Sequence, residues 1–241
     1  MPDEKKDVKR RRPLLRSLSW IFLVAAAAVI GYYAVQGSHG TAAAAVCEAK
    51  FLTQPEETSP GSSDWAAYGV TQLNVMPGRS FSIEPAPDLY TDEWFGAALS
   101  SPGTCDYRVD FDAEVTGPLH PDAAAMLGYG YSVGARGNVI NGVPQGVTVQ
   151  FDIPFGGLRT VELPGQANAA GLNAHLYRFV GTGHYHHWTL TVRGVSMLVS
   201  VDGERYGPVD LSRASGGELI LRVWDARLYV RNVRTSKLRP W

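Results

Sequence analysis

Apolar and polar side chains alternate at every second position through most of the chain beyond residue 64. This period of two is typical of strands with one buried and one solvated face. Gly, Pro, Asn or Asp interrupts the alternation about every ten residues, as turns do. The pattern predicts strands at 79–84, 94–99, 106–116, 128–136, 146–153, 158–163, 176–180, 186–193, 195–202, 218–224 and 227–235. Helical turns are expected only near 120–126 and 166–173.

So many short strands, without an internal repeat, predict an all-β fold: a two-sheet antiparallel jelly-roll sandwich over 65–238. Parity then assigns faces, because successive side chains of a strand point to opposite sides. In 106–116 the odd-numbered residues are apolar, and the even-numbered ones include Arg108, Asp110, Asp112 and Glu114. The strands 128–136, 146–153 and 218–224 divide in the same way.

If these four strands are neighbours, their polar faces form a shallow groove on the concave side of the sandwich, floored by glycine. The residues expected to bind a ligand there are Asp110, Asp112, Arg136, Gln150, Asp152, Arg222 and Trp224. Trp224 alternates with a core row, so we expect it to be at least half exposed and to stack on a sugar ring. Tyr185 is a second candidate for stacking, whereas Trp94 is assigned to the core.

The N-terminal region has a different pattern. Residues 1–17 form a basic segment, and the 18 uncharged residues from 18 to 35 would make a helix of about 27 Å, just enough to cross a bilayer. We therefore predict a transmembrane signal anchor at 18–36 with its N-terminus in the cytoplasm, followed by an extracytoplasmic tether and irregular loop at 37–64. The alternative is a secreted protein whose signal peptide is cleaved near Ala42–Ala45. Both place the sandwich outside the cytoplasm.

Composition and charge narrow the class of protein. The chain has 241 residues, 45% of them hydrophobic and 19% charged, which excludes a disordered chain. The first 17 residues hold seven Lys/Arg against three Asp/Glu, leaving 15 against 20, a net charge of −5, in the rest. Only Lys50 and Lys237 are lysines in that part, so a nucleic-acid partner is excluded. Cys47 and Cys105, an even number in an exported chain, predict one disulfide.

Three stretches carry a family resemblance. They are CDYRVDFDAEV followed by LGYGYSVGAR, then HHWTLTVRGVSMLVSVDGE, and last GELILRVWDARLYVRNVRT. In this order they resemble the laminin-G-like branch of the concanavalin A-like lectin/glucanase superfamily, over about residues 105–236. The resemblance implies a jelly roll whose concave sheet often binds glycans, but no particular activity, because this fold carries lectins, glycosidases and adhesion modules. The predicted function is a lectin-like, membrane-anchored module of a bacterial envelope that binds a cell-surface glycan or an envelope partner protein.

A hydrolase is the alternative. Residues 110–114, DFDAE, resemble the E-x-D-x-E strand of laminarinase-type glycoside hydrolases. The resemblance implies Asp110 as nucleophile, Glu114 as acid/base and Asp112 between them, with the two reacting carboxyl groups about 5–5.5 Å apart. Asp110 is one methylene shorter than the family's Glu, and CDYRV replaces the usual Trp-rich neighbourhood. A third possibility is a structural envelope subunit, whose groove is filled by another chain or by residues 48–64.

Metal sites have little support in the sequence. His184 and His186 would project from one side of a strand that begins there, a workable pair for Zn or Cu, but no third ligand stands at a fixed spacing. Relatives often bind calcium, and oxygen ligands are available, but no D-x-D-x-[DN]-G loop exists. The available side chains are Asn138, Asn141, Asp152 and Asp202. No cofactor is predicted, and calcium stays open.

Overall fold

A computed structural model describes residues 57–69, 71–77, 80–85, 95–100, 106–122, 128–153, 157–165, 167–175, 183–214 and 216–238. The chain divides into two units, Met1–Glu48 and Ala49–Trp241, and every described residue belongs to the second. The predicted membrane helix, Cys47, Cys105, Trp94 and the predicted strand 176–180 lie outside the described residues. Among those described, no helix has the length and apolar character needed to span a membrane.

The described chain is built almost entirely of strands, with one short 3-10 helix at Ser62–Asp64. The strands are β1 (Glu57–Thr58), β2 (Trp65–Tyr68), β3 (Thr71–Met76), β4 (Ser80–Pro85), β5 (Phe95–Leu99), β6 (Tyr107–Thr116), β7 (Gly130–Ile140), β8 (Val143–Asp152), β9 (Gly157–Leu163), β10 (Ala167–His175), β11 (His186–Arg193), β12 (Ser196–Val201), β13 (Glu204–Asp210), β14 (Glu218–Trp224) and β15 (Arg227–Lys237).

These strands form two antiparallel sheets. Sheet A has the order β13-β12-β11-β6-β15-β4-β3, with β1 also paired to β15. Sheet B has the order β10-β9-β8-β7-β14-β5-β2. The prediction of an all-β, two-sheet antiparallel sandwich of jelly-roll type is therefore confirmed, and neighbouring strands often come from distant parts of the chain.

The core lies between the two sheets and follows the predicted parity. In β6 the odd-numbered side chains are buried and the even-numbered ones are at least partly accessible. Trp188 of β11 stacks on Phe111 of β6 with ring centroids 6.1 Å apart. Its indole Nε1–H donates a hydrogen bond to the hydroxyl oxygen of Tyr131 in β7, at 2.9 Å. Because β11 belongs to sheet A and β7 to sheet B, this buried pair joins the two layers.

Several predictions about individual elements differ from the structure. The helical turn expected near 166–173 is wrong, because Ala167–His175 is strand β10, paired with β9 across a register shift. Alanine favours a helix and is depleted in strands, so the pairing with β9 overrides the local preference of this segment. Strands β1, β2, β3 and β13 were not predicted, and β1 lies inside the segment expected to be irregular loop. The region near 120–126 is described only as far as Asp122.

Two hairpins are closed by residues with positive φ. Asn141 and Gly142 (φ 52° and 79°) join β7 to β8, and Asp202 and Gly203 (φ 50° and 86°) join β12 to β13. A two-residue turn with positive φ at both positions matches the twist of the strands it connects, and Asn, Asp and Gly are the residues that accept it. The second turn places Asp202 beside the start of β11.

Candidate ligand-binding face

The residues predicted to line one groove lie on two different sheets. Asp110 and Asp112 belong to β6 in sheet A. The other five belong to sheet B: four to the inner strands β8 and β14, and Arg136 to β7. The outer faces of two packed sheets point away from each other, so no single groove contains both groups. The sheet B group consists of Gln150, Asp152, Arg222 and Trp224. Parity assigns the face of a strand but not the sheet to which the strand belongs.

Three members of the sheet B group are also buried. Trp224 is 3% exposed, Arg222 0% and Gln150 2%, so the prediction that Trp224 is at least half exposed is wrong. The indole of Trp224 lies over Gly130, where an added Cβ would come within 2.9 Å of a ring carbon. The guanidinium carbon of Arg222 is 5.0 Å from the Trp224 ring centroid. Parity correctly separated these side chains from the core row, but it carries no information about whether an outer face is covered.

Arg136 belongs to neither group. It has a φ of 52° at a register shift in β7, so the alternation used to predict its direction is interrupted there. Its guanidinium Nη2 lies 3.3 Å from a carboxylate oxygen of Asp106, the residue just before β6. Its backbone N–H donates to the hydroxyl oxygen of Tyr107 at 3.4 Å. Arg136 therefore connects β7 to the beginning of β6, away from Asp110 and Asp112.

The accessible polar cluster is on the outer face of sheet A, where β6 lies between β11 and β15. We call it the aspartate face, and it consists of Arg108, Asp110, Asp112, Tyr185, His187, Thr189, Arg231 and Asn232. The register brings its members together, because Asp112 is directly opposite His187 on one side and Arg231 on the other. Asp110 and Asp112 are the two predicted site residues that it contains.

Asp110 is held by two neighbours. The Nε and Nη2 groups of Arg108 donate to its two carboxylate oxygens, each at 2.7 Å, and the hydroxyl of Thr189 donates at 2.6 Å. Burial raises the pKa of Asp110, but the hydrogen bonds from Arg108 and Thr189 outweigh it and hold the pKa below its ordinary value of 3.8. Asp110 is therefore ionised at neutral pH.

Asp112 accepts hydrogen bonds from both flanking strands. One oxygen lies 2.9 Å from Nδ1 of His187, and the other accepts from the amide of Asn232 at 2.7 Å and from Nε of Arg231 at 3.4 Å. Burial raises the pKa of Asp112, while the hydrogen bonds from His187 and Asn232 bring it below its ordinary value. The Nε2 atom of His187 is 3.7 Å from Asp110, so this imidazole lies between the two carboxylates.

A bulge in β15 supplies two of these groups. The register with β6 shifts between Arg231 and Arg234, and Asn232 has a φ of 55°. An extra residue at this point lets Arg231 and Asn232, which strict alternation would place on opposite faces, both reach Asp112. Asn is among the few non-glycine residues that adopt left-handed backbone readily. That property of Asn232 is the signal in the sequence by which the bulge could have been found.

The start of β11 is fixed by Asp202. Its carboxylate accepts the backbone N–H of His187 at 2.7 Å and lies 2.8 Å from Nδ1 of His186. Its own backbone N–H donates to the carbonyl oxygen of His187 at 2.8 Å. Next to this pair, the guanidinium carbon of Arg231 lies 3.6 Å from the ring centroid of Tyr185, a cation–π contact. His187 and Tyr185 therefore have defined positions although they lie at the accessible end of a strand.

The structure does not gather the residues considered for metals. His186 faces Asp202, and His184 is exposed. Asn138 and Asn141 lie in or beside β7 of sheet B, whereas Asp202 lies in a turn of sheet A. In the part of the chain that the structure describes, no group of three or more His, Cys, Asp or Glu side chains is arranged to hold a metal ion.

The geometry of β6 does not favour glycoside hydrolysis. Both carboxylate oxygens of Asp110, the residue in the nucleophile's position, accept hydrogen bonds from Arg108, and one of them also accepts from Thr189. A retaining mechanism needs this carboxylate to attack the anomeric carbon. The cluster is better suited to binding than to acid–base chemistry.

The aspartate face presents three donor side chains and one imidazole whose directions are fixed. Arg108 is held by Asp110, and the other three, His187, Arg231 and Asn232, are held by Asp112. His187 has 53% of its side chain exposed, and Arg108 and Arg231 are nearly as accessible. Such an array can donate to several neighbouring oxygen atoms of one ligand at once. Sequence reasoning did not identify His187, Arg231 or Asn232 as members of the site.

Comparison with known proteins bears on the fold alone. No protein-family model and no curated protein matches the chain. Among solved structures, the carbohydrate-binding module CBM66 from Bacillus subtilis is similar with a TM-score of 0.53 and 13% identity, over 72% of this chain and 96% of that one. A protein of unknown function with a galectin-like fold, also from Bacillus subtilis, has a TM-score of 0.50 and 10% identity, over 75% and 98%. The jelly-roll β-sandwich fold is thus shown, and the laminin-G-like branch stays a prediction.

Proposed function

We propose that the protein is a membrane-anchored, extracytoplasmic glycan-binding module and that its ligand lies on the aspartate face. The observation that carries this proposal is the pair of ionised carboxylates that fixes three accessible donor side chains, Arg108, Arg231 and Asn232, beside the imidazole of His187. Neighbouring hydroxyl groups of a sugar accept hydrogen bonds from such donors. Because the donors are already oriented, the ligand need not order them, which lowers the entropic cost of binding.

Two further features support a sugar as the ligand. The ring of Tyr185 borders the donors and offers an aromatic surface to the C–H groups of a pyranose or furanose, although Arg231 already occupies part of that ring. The similar fold of CBM66, a carbohydrate-binding module, is in keeping with this use of a sandwich. The anchor at 18–36 would hold the module at the outer surface of the cell membrane, where glycans and envelope proteins are accessible.

The decisive experiment compares glycan binding by the wild-type protein and by Asp112→Ala. The substitution removes the acceptor that orients His187, Arg231 and Asn232, so we expect the affinity for the glycan that the wild type selects on an array to fall at least about tenfold, or about 1.4 kcal/mol. The matched control is Asp210→Ala, an exposed aspartate of β13 whose carboxylate contacts Ser212. It should bind as the wild type does.

Three results would contradict the proposal. An array on which the wild type binds nothing, together with recovery of a single envelope protein by the same preparation, would favour a structural subunit. Hydrolysis of β-glucan by the wild type, abolished in Glu114→Gln, would instead establish the glycoside hydrolase. Equal losses in Asp112→Ala and in the control would place the ligand elsewhere.

A further inference from the structure

Sheet A ends at strand β3, which pairs with β4 along one edge, from Thr71 opposite Pro85 to Met76 opposite Ser80. Its other edge has no partner strand within the described part of the chain. The strand reads TQLNVM and contains neither a charged residue nor proline. Charges, proline and bulges are the usual means by which natural proteins prevent an edge strand from pairing. The opposite end of the sheet, β13, carries three charges and a proline: Glu204, Arg205, Asp210 and Pro208.

An exposed apolar side chain marks the same edge. Val75 is 71% exposed, more than any other large hydrophobic residue that the structure describes. It is opposite Phe81 and therefore points to the inner, core-facing side of the sheet, as does Leu73 opposite Ile83. The core extends as far as Leu73 but leaves Val75 uncovered. A strand added to β3 would cover it.

We infer that a second copy of this chain supplies that strand, with the two β3 strands antiparallel about a two-fold axis that relates Asn74 to its own copy. Cross-strand partners must point to the same side of a sheet, which restricts the possible registers. In this register Leu73 of each copy lies opposite Val75 of the other, and Gln72 lies opposite Met76. Both exposed valines are covered, and no like charges meet. The contact is self-complementary, as a closed dimer requires.

The pairing has a consequence for ligand binding. A two-fold axis perpendicular to the joined sheet keeps the outer face of sheet A on the same side in both copies. The two aspartate faces, on β6, β11 and β15, then point in one direction, with β4 between each of them and the β3 contact. Two sites facing one surface bind a multivalent ligand more tightly than either site alone.

Disulfide trapping of the full-length protein in membranes tests the contact. Residues directly opposite each other in antiparallel strands have Cα atoms about 4.5–5.5 Å apart, within the span of a disulfide. We expect Asn74→Cys, treated with copper phenanthroline as oxidant, to give most of the chain as a covalent dimer on a non-reducing gel. The control is Val195→Cys, at a position that is 58% exposed in the turn between β11 and β12. It should cross-link no more than the wild type, which contains the same native cysteines.

A second variant tests the apolar pairing. Val75→Lys places a charge opposite Leu73 of the other copy, so it should abolish trapping of Asn74→Cys and halve the detergent-corrected mass in light scattering. Because Val75 is exposed in a single copy, the variant should still unfold cooperatively, but its unfolding midpoint should lose the dependence on protein concentration that a dimer gives the wild type. Equal cross-linking at positions 74 and 195, or a wild-type mass of one chain, would overturn the dimer. Affinity for a monovalent glycan is measured separately, so a failed dimer leaves the proposed binding site standing.

Discussion

Each carboxylate on the aspartate face is ionised because its hydrogen bonds oppose the effect of its burial. Asp110 is held by Arg108 and Thr189, and Asp112 by His187 and Asn232. Both pKa values lie below their ordinary value in the folded protein, so the unfolded chain binds protons at a higher pH than the folded chain does. These groups therefore stabilise the fold above about pH 3.8, and that contribution disappears as the pH falls through the lower folded pKa.

The lowered pKa values of Asp110 and Asp112 give a prediction for the stability of the fold in acid. Between pH 5 and pH 2.5 the free energy of unfolding of the wild type should fall more steeply than that of the double variant Asp110→Asn/Asp112→Asn, which lacks both titrating groups. Urea titrations at half-unit intervals of pH measure it. Parallel curves for the two proteins would show that neither carboxylate has a lowered pKa in the folded state.

The face of a single residue was predictable where the strand is regular. Asp110 and Asp112 were placed correctly by alternation alone, because β6 pairs with β11 without a bulge. Alternation failed for Arg136, which lies at a register shift, and it does not relate Asn232 to Asp112 across the bulge in β15. Exposure was not predictable at all for Trp224, since it depends on what covers the outer face of sheet B and not on the pattern of β14.

The element that completes the site is the bulge of β15. It requires left-handed backbone at Asn232, and it brings the amide of that residue within 2.7 Å of Asp112. Backbone conformation and hydrogen bonding are two separate contributions of one side chain. Glycine adopts this conformation without a Cβ clash, whereas alanine does not, so two substitutions distinguish them.

We expect Asn232→Ala to be less stable than Asn232→Gly by about 1 kcal/mol, because only alanine strains the bulge. Both variants lack the amide donor, so both should lose glycan affinity to a similar extent. Urea denaturation and titration with the selected glycan give the two quantities. If the glycine variant binds as the wild type does, the amide of Asn232 takes no part in recognition.

Most long strands were predictable because period-two alternation is a local property. The segment that became β10 was not, since its alanines and asparagines have no strong period and the edge of β9 determines its conformation. Strand β3 was missed for a related reason. Its side chains are accessible on both sides, so no buried row distinguishes it from a loop.

At the scale of the whole molecule, the order of strands in each sheet decides which predicted residues meet. Strand β6 pairs with β11 and β15, and β14 pairs with β5 and β7. These pairings join residues far apart in sequence, and a local pattern contains no information about them. For this reason the sequence predicted polar faces correctly but combined Asp112 and Arg222 into one groove that does not exist.

Location is also a property of the whole chain. If residues 18–36 form an uncleaved anchor, the protein should stay in the membrane pellet after carbonate extraction at alkaline pH and retain its original N-terminus. Alkaline phosphatase fused after residue 238 should then be active, because the anchor would place that end outside the cytoplasm. A soluble form with a new N-terminus near Ala45 would show that residues 18–36 belong to a cleaved signal peptide and not to an anchor. An inactive fusion would contradict an extracytoplasmic module altogether.

Strand β15, which supplies Arg231 and Asn232, is the last strand of the sandwich to leave the ribosome. Until it inserts between β6 and β4, Asp112 lacks two of its three partners. If the aspartate face binds the ligand as proposed, a chain that lacks β15 or has not yet inserted it therefore cannot bind. Binding of the proposed glycan would then require the complete sandwich, and incomplete copies of the chain would not bind it.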